Sequence, residues 1–283
     1  MKNYYIKDIL NKAQLDQKVE ILGWVASKRE LGGIIFLDLV DSTGKIQAIA
    51  HKDMGEIFMK LKKIKPESSV KVTGTVKNFK TSKEIQIETI EVIGDVLFEV
   101  TPRPRSQFNI FHQRFTNLIL TKRHLYLRNE KLMAIIKFRY ELIEIIRQWF
   151  RKEGFVEIHA PILTQLPLYD DDTLFSLNFF GQKVFLTQCV AFYLESAVHA
   201  FERVYSISPS FRAEKSKGRK HLAEFWHVKA EIAFADLEEI INFVENMLSY
   251  VIRKIWVEAK ELMERLMSLN DRRGGKPTIL PSH

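Results

Sequence analysis

The chain has 283 residues, with 43 Lys and Arg against 35 Asp and Glu, a formal charge of +8. That length fits one large domain or two ordinary ones, with a sizeable core. With 46% hydrophobic and 28% charged residues it is not wholesale disordered, and its single cysteine, Cys189, excludes an internal disulfide or a multi-cysteine metal site.

The N-terminus, MKNYYIKDIL, carries no apolar core ahead of a small-residue cleavage site. No run approaches about eighteen uncharged apolar residues, so no membrane span is expected and a soluble, cytoplasmic protein is the default. Residues 18 to 98 read as short alternating strands: KVEILGWV, IIFLDLV, KIQAIAH, SSVKVTGTVKNF and EIQIETIEVIG. Between the third and fourth, Met54 to Ile64 places Ile57, Leu61 and Ile64 at helical spacing. Five strands with one helix in that place predict an OB-fold, a small Greek-key barrel that often binds nucleic acid. TPRPR, Thr101 to Arg105, reads as an extended linker. The predicted domains are residues 1–100, a linker or hinge over 101–130, and a second domain over 131–283. There, Lys131 to Gly154 forms an amphipathic helix with Leu132, Ile135, Ile136, Leu142, Ile143, Ile146, Trp149 and Phe150 on one wide stripe. FVEIHAPIL predicts a strand, Ala191 to Phe201 a helix, RVYSISPSFRAE and EFWHVKAEIAF a hairpin, and Leu237 to Met267 one long helix. The mixture lacks a βαβ rhythm, so the class is α+β with an antiparallel sheet.

The chemistry concentrates in Ser210 to Phe234, SFRAEKSKGRKHLAEFWHVKAEIAF. Arg212 and Glu214 are two apart on one strand face. Lys215, Lys217, Arg219, Lys220 and His221 surround Gly218 in the loop, and Phe225 and Trp226 return alongside. A hairpin of this kind offers a guanidinium for phosphate oxygens, an acid for an exocyclic amine and an aromatic face for a base. ATP meets that set of needs, whereas a solvated hairpin loop would explain the lysines alone.

FRAE…RKHLAEF resembles motif 2 of class II aminoacyl-tRNA synthetases, in wording closest to the archaeal asparaginyl type of the aspartyl and asparaginyl branch. RHLYLRN, the helix after it and GFVEIHAPILT resemble motif 1, and the N-terminal barrel is similar to that branch's anticodon-binding domain. The resemblance implies an ATP site of Arg212 on the α-phosphate, Glu214 on the adenine amine, Arg219 and His221 on the outer phosphates and Phe225 stacked on adenine. It implies RNA contacts at Arg29, Phe36 and Gln47, with Phe36 stacking on a base, although the sequence alone allows Phe36 equally in the barrel core. It also implies a homodimer through motif 1, tRNA or another single-stranded RNA as partner, and a full-length synthetase as a further partner.

The departures bear on catalysis. No segment of the chain resembles motif 3, with the arginine that clamps the far phosphate and the nearby acids that hold Mg²⁺; the chain therefore reads as C-terminally truncated, with ATP as cofactor and no secure place for Mg²⁺ or any other metal. The amino-acid pocket is altered. After Gln188, Ala191 stands where the family carries a second glutamine, and Lys229, two before Glu231, stands where the family has an acid that helps to hold the substrate ammonium. Tyr169-Asp170-Asp171-Asp172 replaces a Glu-Gly-Gly loop and reads as a solvated turn or helix cap. The expectation is a truncated asparaginyl-type paralogue that binds RNA and, weakly, ATP; the alternative is an active ligase that forms an aminoacyl-adenylate from Asn or Asp.

Overall fold

The computed structural model describes residues 4–98, 103, 113–168, 171–215 and 221–271. They fall in two compact units, Met1–Asn129 and Glu130–His283. Most of TPRPR, the loop residues 216–220 with Arg219 among them, Tyr169 and Asp170, and the tail from Arg272 lie outside the described residues.

The first unit opens on α1 (Ile6–Lys12), which the patterning leaves unassigned. Ile6 and Ile9 are fully buried and Ala13 nearly so, at a spacing that sets all three on one helix face. Barrel residues hold both ends of this helix. Asp41 Oδ2 accepts from the Ile6 amide at 2.9 Å, and Lys83 Nζ donates to the carbonyls of Leu10 at 2.9 Å and Ala13 at 2.8 Å. Strands β1 (Lys18–Leu31), β2 (Ile34–Val40) and β3 (Lys45–His51) follow, then α2 (Glu56–Lys63), β4 (Ser69–Phe79) and β5 (Ser82–Gly94). They close as a barrel in the order β1-β2-β3-β5-β4, in which only β3 and β5 pair parallel. This is the OB-fold. Alternate residues fill it, and β2 buries Ile35, Leu37 and Leu39. The predicted helix from Met54 starts later, because Lys52–Met54 form a 3-10 turn and Gly55 separates the two at φ 53°. At Gly74, beside a register shift, a Cβ would stand 2.3 Å from the Gln86 carbonyl oxygen, so only glycine lets β4 and β5 approach there. Helices α3 (Gln113–Thr121) and α4 (Arg123–Tyr126) complete this unit. Tyr126 is fully buried, and Arg128 pairs with Glu67 at 2.7 Å.

The second unit begins with α5 (Glu130–Lys152). Gly154, at φ 80°, ends it. The Phe155 amide donates to Phe150 O at 2.9 Å and the Gly154 amide to Arg151 O at 3.2 Å, a Schellman pair whose hydrophobic contact is the Phe150–Phe155 ring pair at 5.1 Å. The strand predicted over FVEIHAPIL is mostly irregular: only β6 (Val156–Glu157) and β7 (Leu163–Thr164) form ladders, while Ile158 and Ala160 pack against Val190, Leu194 and Val204. Next come β8 (Ser176–Phe179), β9 (Gln182–Leu186), α6 (Ala191–Phe201), β10 (Arg203–Phe211) and β11 (Glu224–Ile232). One sheet runs β11-β10-β6, antiparallel at β10/β11 and parallel at β10/β6; the other runs β7-β9-β8. Asp236 caps α7 (Leu237–Glu258) in a reciprocal pair with Glu239. The single long helix expected to Met267 breaks at Ala259, which is 1% exposed at φ −108°, and α8 (Lys260–Asp271) then packs on α5. No described helix is long and apolar enough to cross a membrane.

The core of this unit lies behind β10 and β11. Trp149, Phe150 and Phe155 meet Tyr205 and Ile207, with Phe243, Met247 and Tyr250 of α7 closing over them. Phe150 stacks on Tyr205 with centroids 4.1 Å apart and planes at 10°. Tyr205 Oη donates to Glu157 at 3.0 Å, and Arg147 meets the same carboxylate at 3.2 Å. Burial, then the bond to Glu157 and its charge, push the Tyr205 hydroxyl pKa well up.

Candidate functional site

With α5 and α7 behind the sheet, the front of β10 and β11 carries the polar side chains, except at Val204, which α6 covers. The register pairs Ser210 with Phe225, Ser208 with His227, Ser206 with Lys229 and Val204 with Glu231. Ser210 Oγ lies 3.4 Å from His227 Nδ1, and the Phe225 and His227 rings are 5.8 Å apart. β10 ends at Phe211, so Arg212 and Glu214 stand just past the strand rather than on it. The register still continues through the Arg212 amide, which donates to Ala223 O at 2.9 Å. Thr187 O and Thr173 O accept from the amides of Phe211 and Ala213 at 2.9 and 2.8 Å, which pins the backbone on either side of Arg212. Arg212 and Phe225 thus share the front face with His227, Lys229 and Glu231, while Glu214 and His221 are exposed beyond the ladder. Arg219 is outside the described residues.

At the foot of this face lie Lys229 and Glu231. Gln188 is 2% exposed, and its amide serves the fold: Oε1 accepts from the Leu168 amide at 3.3 Å and Nε2 donates to Thr173 Oγ1 at 2.8 Å. Ala191 is the first residue of α6 and brings no polar atom. Lys229 Nζ lies 3.7 Å from Glu231 Oε1. Ser208 Oγ is buried and has no hydrogen-bond partner among the described residues. Sequence reasoning set Cys189 aside, yet the fold brings it to this face. Burial pushes the Cys189 thiol up, but a hydrogen bond with His227 and the positive charge of Lys229 outweigh that, so the thiol titrates below its ordinary value. Lys229→Met should therefore move thiolate formation to higher pH. Absorbance near 240 nm reads this cleanly, since the chain has 1 cysteine. An unmoved midpoint would show that Lys229 does not act on the thiol. Among the described residues no group of three or more His, Cys, Asp or Glu is placed to hold a metal ion.

The barrel presents a second polar cluster. Phe36 alternates with the buried Ile35 and Leu37, so its ring lies on the outer wall and not in the core. Arg29 pairs with Phe36 across β1 and β2, and its guanidinium sits 5.0 Å from the ring centroid. Arg29 Nη2 donates to Gln47 Oε1 at 2.7 Å, and Gln47 Nε2 donates to Glu84 Oε2 at 3.0 Å. Glu84 is 8% exposed, so this carboxylate fixes the orientation of the Gln47 amide. The sequence offered no sign of Glu84, because its partner arrives only when β5 closes beside β3. A planar ring, a guanidinium and an oriented amide on one wall suit a stacked base with polar edge contacts.

Comparison with known proteins matches residues 116–273 to the family model "tRNA synthetases class II (D, K and N)" and residues 19–93 to an "OB-fold nucleic acid binding domain". The asparagine–tRNA ligase of Thermococcus kodakarensis is 38% identical over 243 residues, covering 84% of this chain and 54% of that protein. That of Pyrococcus horikoshii is 39% identical over 250 residues, covering 86% and 56%. The chain thus spans about half the length of the curated relatives it matches. The crystal structure of P. horikoshii asparaginyl-tRNA synthetase complexed with asparaginyl-adenylate superposes with TM-score 0.83 at 35% identity, covering 98% of this chain and 64% of that one. The Entamoeba histolytica asparaginyl-tRNA synthetase complex, at 24% identity and TM-score 0.76, shares the fold.

Proposed function

Because the chain belongs to the class II tRNA synthetases, in the asparaginyl-tRNA synthetase family, we propose that it is a dimeric tRNA-binding protein with weak ATP binding and little or no aminoacylation. The observation that carries this reading is the contrast between its two clusters. On the barrel wall Arg29, Phe36 and Gln47 are held ready by Glu84. On the front of β10 and β11, Arg212 and Phe225 share a face with Lys229, and Ala191 opens α6 where the family resemblance has a glutamine. ATP fits the upper part of that face, with Arg212 toward phosphate, Glu214 toward an amine and Phe225 beneath the base. The foot of that face suits an ammonium group poorly. Dimer formation rests on α5, whose apolar stripe is only partly used within the unit: Ile136 stays 43% exposed. Light scattering at micromolar concentration checks this, and a monomer would refute it. A full-length synthetase of the same type is a further partner of such a chain, and cytoplasmic residence goes with tRNA as ligand.

Fluorescence anisotropy with a labelled single-stranded RNA tests the binding reading. Phe36→Ala should weaken binding by about 1–3 kcal/mol, roughly 5- to 150-fold, as loss of one stacked base does. Unchanged affinity in a folded variant would remove the barrel wall from the RNA site. A second reading, an active ligase forming an adenylate from Asn or Asp, draws on the retention of Arg212, Glu214 and Phe225.

A further inference from the structure

We propose that the gap between α2 and β5 of the barrel is a docking groove for an extended segment of a partner protein, one with apolar anchors and acidic neighbours. The inference rests on the barrel alone and is independent of the RNA-binding reading.

The groove begins as an opening in the core. β4 and β5 pair Val70 with Val92 and Val72 with Ile90, so these four side chains share the inward face. Val70 and Val72 are fully buried, but Ile90 is only partly covered and Val92 is 45% exposed. α2 packs on the barrel through Phe58, Leu61 and Ile64, and between Ile64 and the two β5 residues lies a groove of about 450 Å³. The same stretch of β5 offers its backbone. β3 pairs with β5 only from Gln47 to Ile49 against Glu84 to Gln86, and beyond Gln86 no described strand takes that edge. Register shifts against β4 bracket Thr89 to Val92, a run the length of a short strand. Antiparallel pairing alternates, so part of the backbone amides and carbonyls there point away from β4, where an added strand pairs with them.

The rim selects the charge of the occupant. Glu91 and Asp95 stand on the β5 side, and the barrel already serves both. Lys71 Nζ lies 3.6 Å from Glu91 Oε2, and Ser68 Oγ and the Val96 amide donate to Asp95 Oδ1 at 3.1 and 2.7 Å. On the α2 side stand Lys60, one turn before Ile64, and Lys63, beside it. Lys60 meets Glu56 at 2.9 Å in an exposed pair along its own helix, which holds it weakly, and Lys63 has no ion pair among the described residues. The charge left for a partner is therefore positive. An extended acidic peptide uses the apolar opening, the strand edge and the lysines together, whereas an apolar small molecule would use only the first.

The test pans a phage-displayed library of random heptapeptides against the full chain, with the double variant Lys60→Glu, Lys63→Glu as counter-selection. The best binder is then followed as a labelled synthetic peptide by fluorescence anisotropy. Enriched peptides are expected to combine apolar and acidic residues, and the double variant should bind the best of them about tenfold more weakly. Amide hydrogen exchange from Thr89 to Val92 should slow about tenfold or more in the complex. No enrichment over the variant, or a binder that leaves those amides unprotected, overturns the proposal. If the variant does not fold, the same peptide with lysines in place of its acids is titrated into the unaltered chain, and equal affinity is the refuting result. Two other occupants would also overturn it. Protection of the same amides that rises with the concentration of this chain alone makes a second copy the occupant. A labelled single-stranded RNA that loses as much affinity to the lysine variant as to Phe36→Ala assigns the two lysines to nucleic acid.

Discussion

Incubated with ATP, pyrophosphate and either Asn or Asp, the purified chain is expected to show exchange about a thousandfold or more below a complete asparaginyl-tRNA synthetase assayed beside it. Two residues of the proposed amino-acid pocket, Lys229 and Ala191, carry this. In the family resemblance an acid at the position of Lys229 meets the substrate ammonium. Like charges about 4 Å apart at an effective dielectric near 20 repel by about 4 kcal/mol, which is roughly a thousandfold. The pair with Glu231 at 3.7 Å softens that repulsion but also engages the one carboxylate left beside it. Ala191 removes a further polar partner, and an amino acid held loosely loses alignment as well as affinity. The double variant Lys229→Glu with Ala191→Gln should recover part of the loss if these two residues are the cause. Robust exchange by the unaltered chain, abolished by Arg212→Ala, would establish the ligase reading instead. Retention of Arg212 and Glu214 is the best argument for that outcome.

The largest effect on stability is expected at Phe150. It is 1% exposed, stacks on Tyr205 and meets Phe155 and Phe243 at 5.1 and 6.1 Å. Phe150→Ala should cost the second unit about 3–5 kcal/mol, since the aromatic cluster around it cannot collapse into the space. Tyr205→Phe removes only the hydroxyl bonded to Glu157, whose carboxylate keeps Arg147, and should cost about 1 kcal/mol. Urea unfolding followed by tryptophan fluorescence distinguishes the two. Trp149, Trp226 and Trp256 report on the second unit and Trp24 on the barrel, which has its own core of residues such as Ile21, Leu37 and Ile85. Equal costs for the two variants would mean that the ring pair is not the centre of this core.

Much of this was legible in the chain itself. Alternation and turn residues named the barrel strands, because a sheet with one wet face writes its period of two into the sequence. The stripe and Gly154 named α5 for a comparable reason. The pairing of RVYSISPSF with EFWHVKAEI was legible as well, because antiparallel neighbours in sequence meet by counting. Local pattern failed wherever an element is held from a distance. α1 is short, and Asp41 and Lys83 at its ends define it as much as its own residues do. FVEIHAPIL has the composition of a strand, but a ladder needs a neighbouring strand, and only two short pieces find one.

The sequence by itself therefore determined the class of the two domains, the barrel's strands in chain order and the residue types gathered at the β10–β11 hairpin. Only the tertiary structure decided which way each of those residues works. In β2 the run Ile34-Ile35-Phe36-Leu37 is apolar throughout, so alternation alone cannot say which parity faces inward; barrel closure buried Ile35 and Leu37 and turned Phe36 out beside Arg29. Gln188 became a structural brace because the segment before β8 folds across it. Cys189 gained its polarised thiol because β11 brings His227 and Lys229 to it from about forty residues away. Secondary structure is set by neighbours along the chain, whereas the exposure and charge that give a side chain its chemistry are set by neighbours in space.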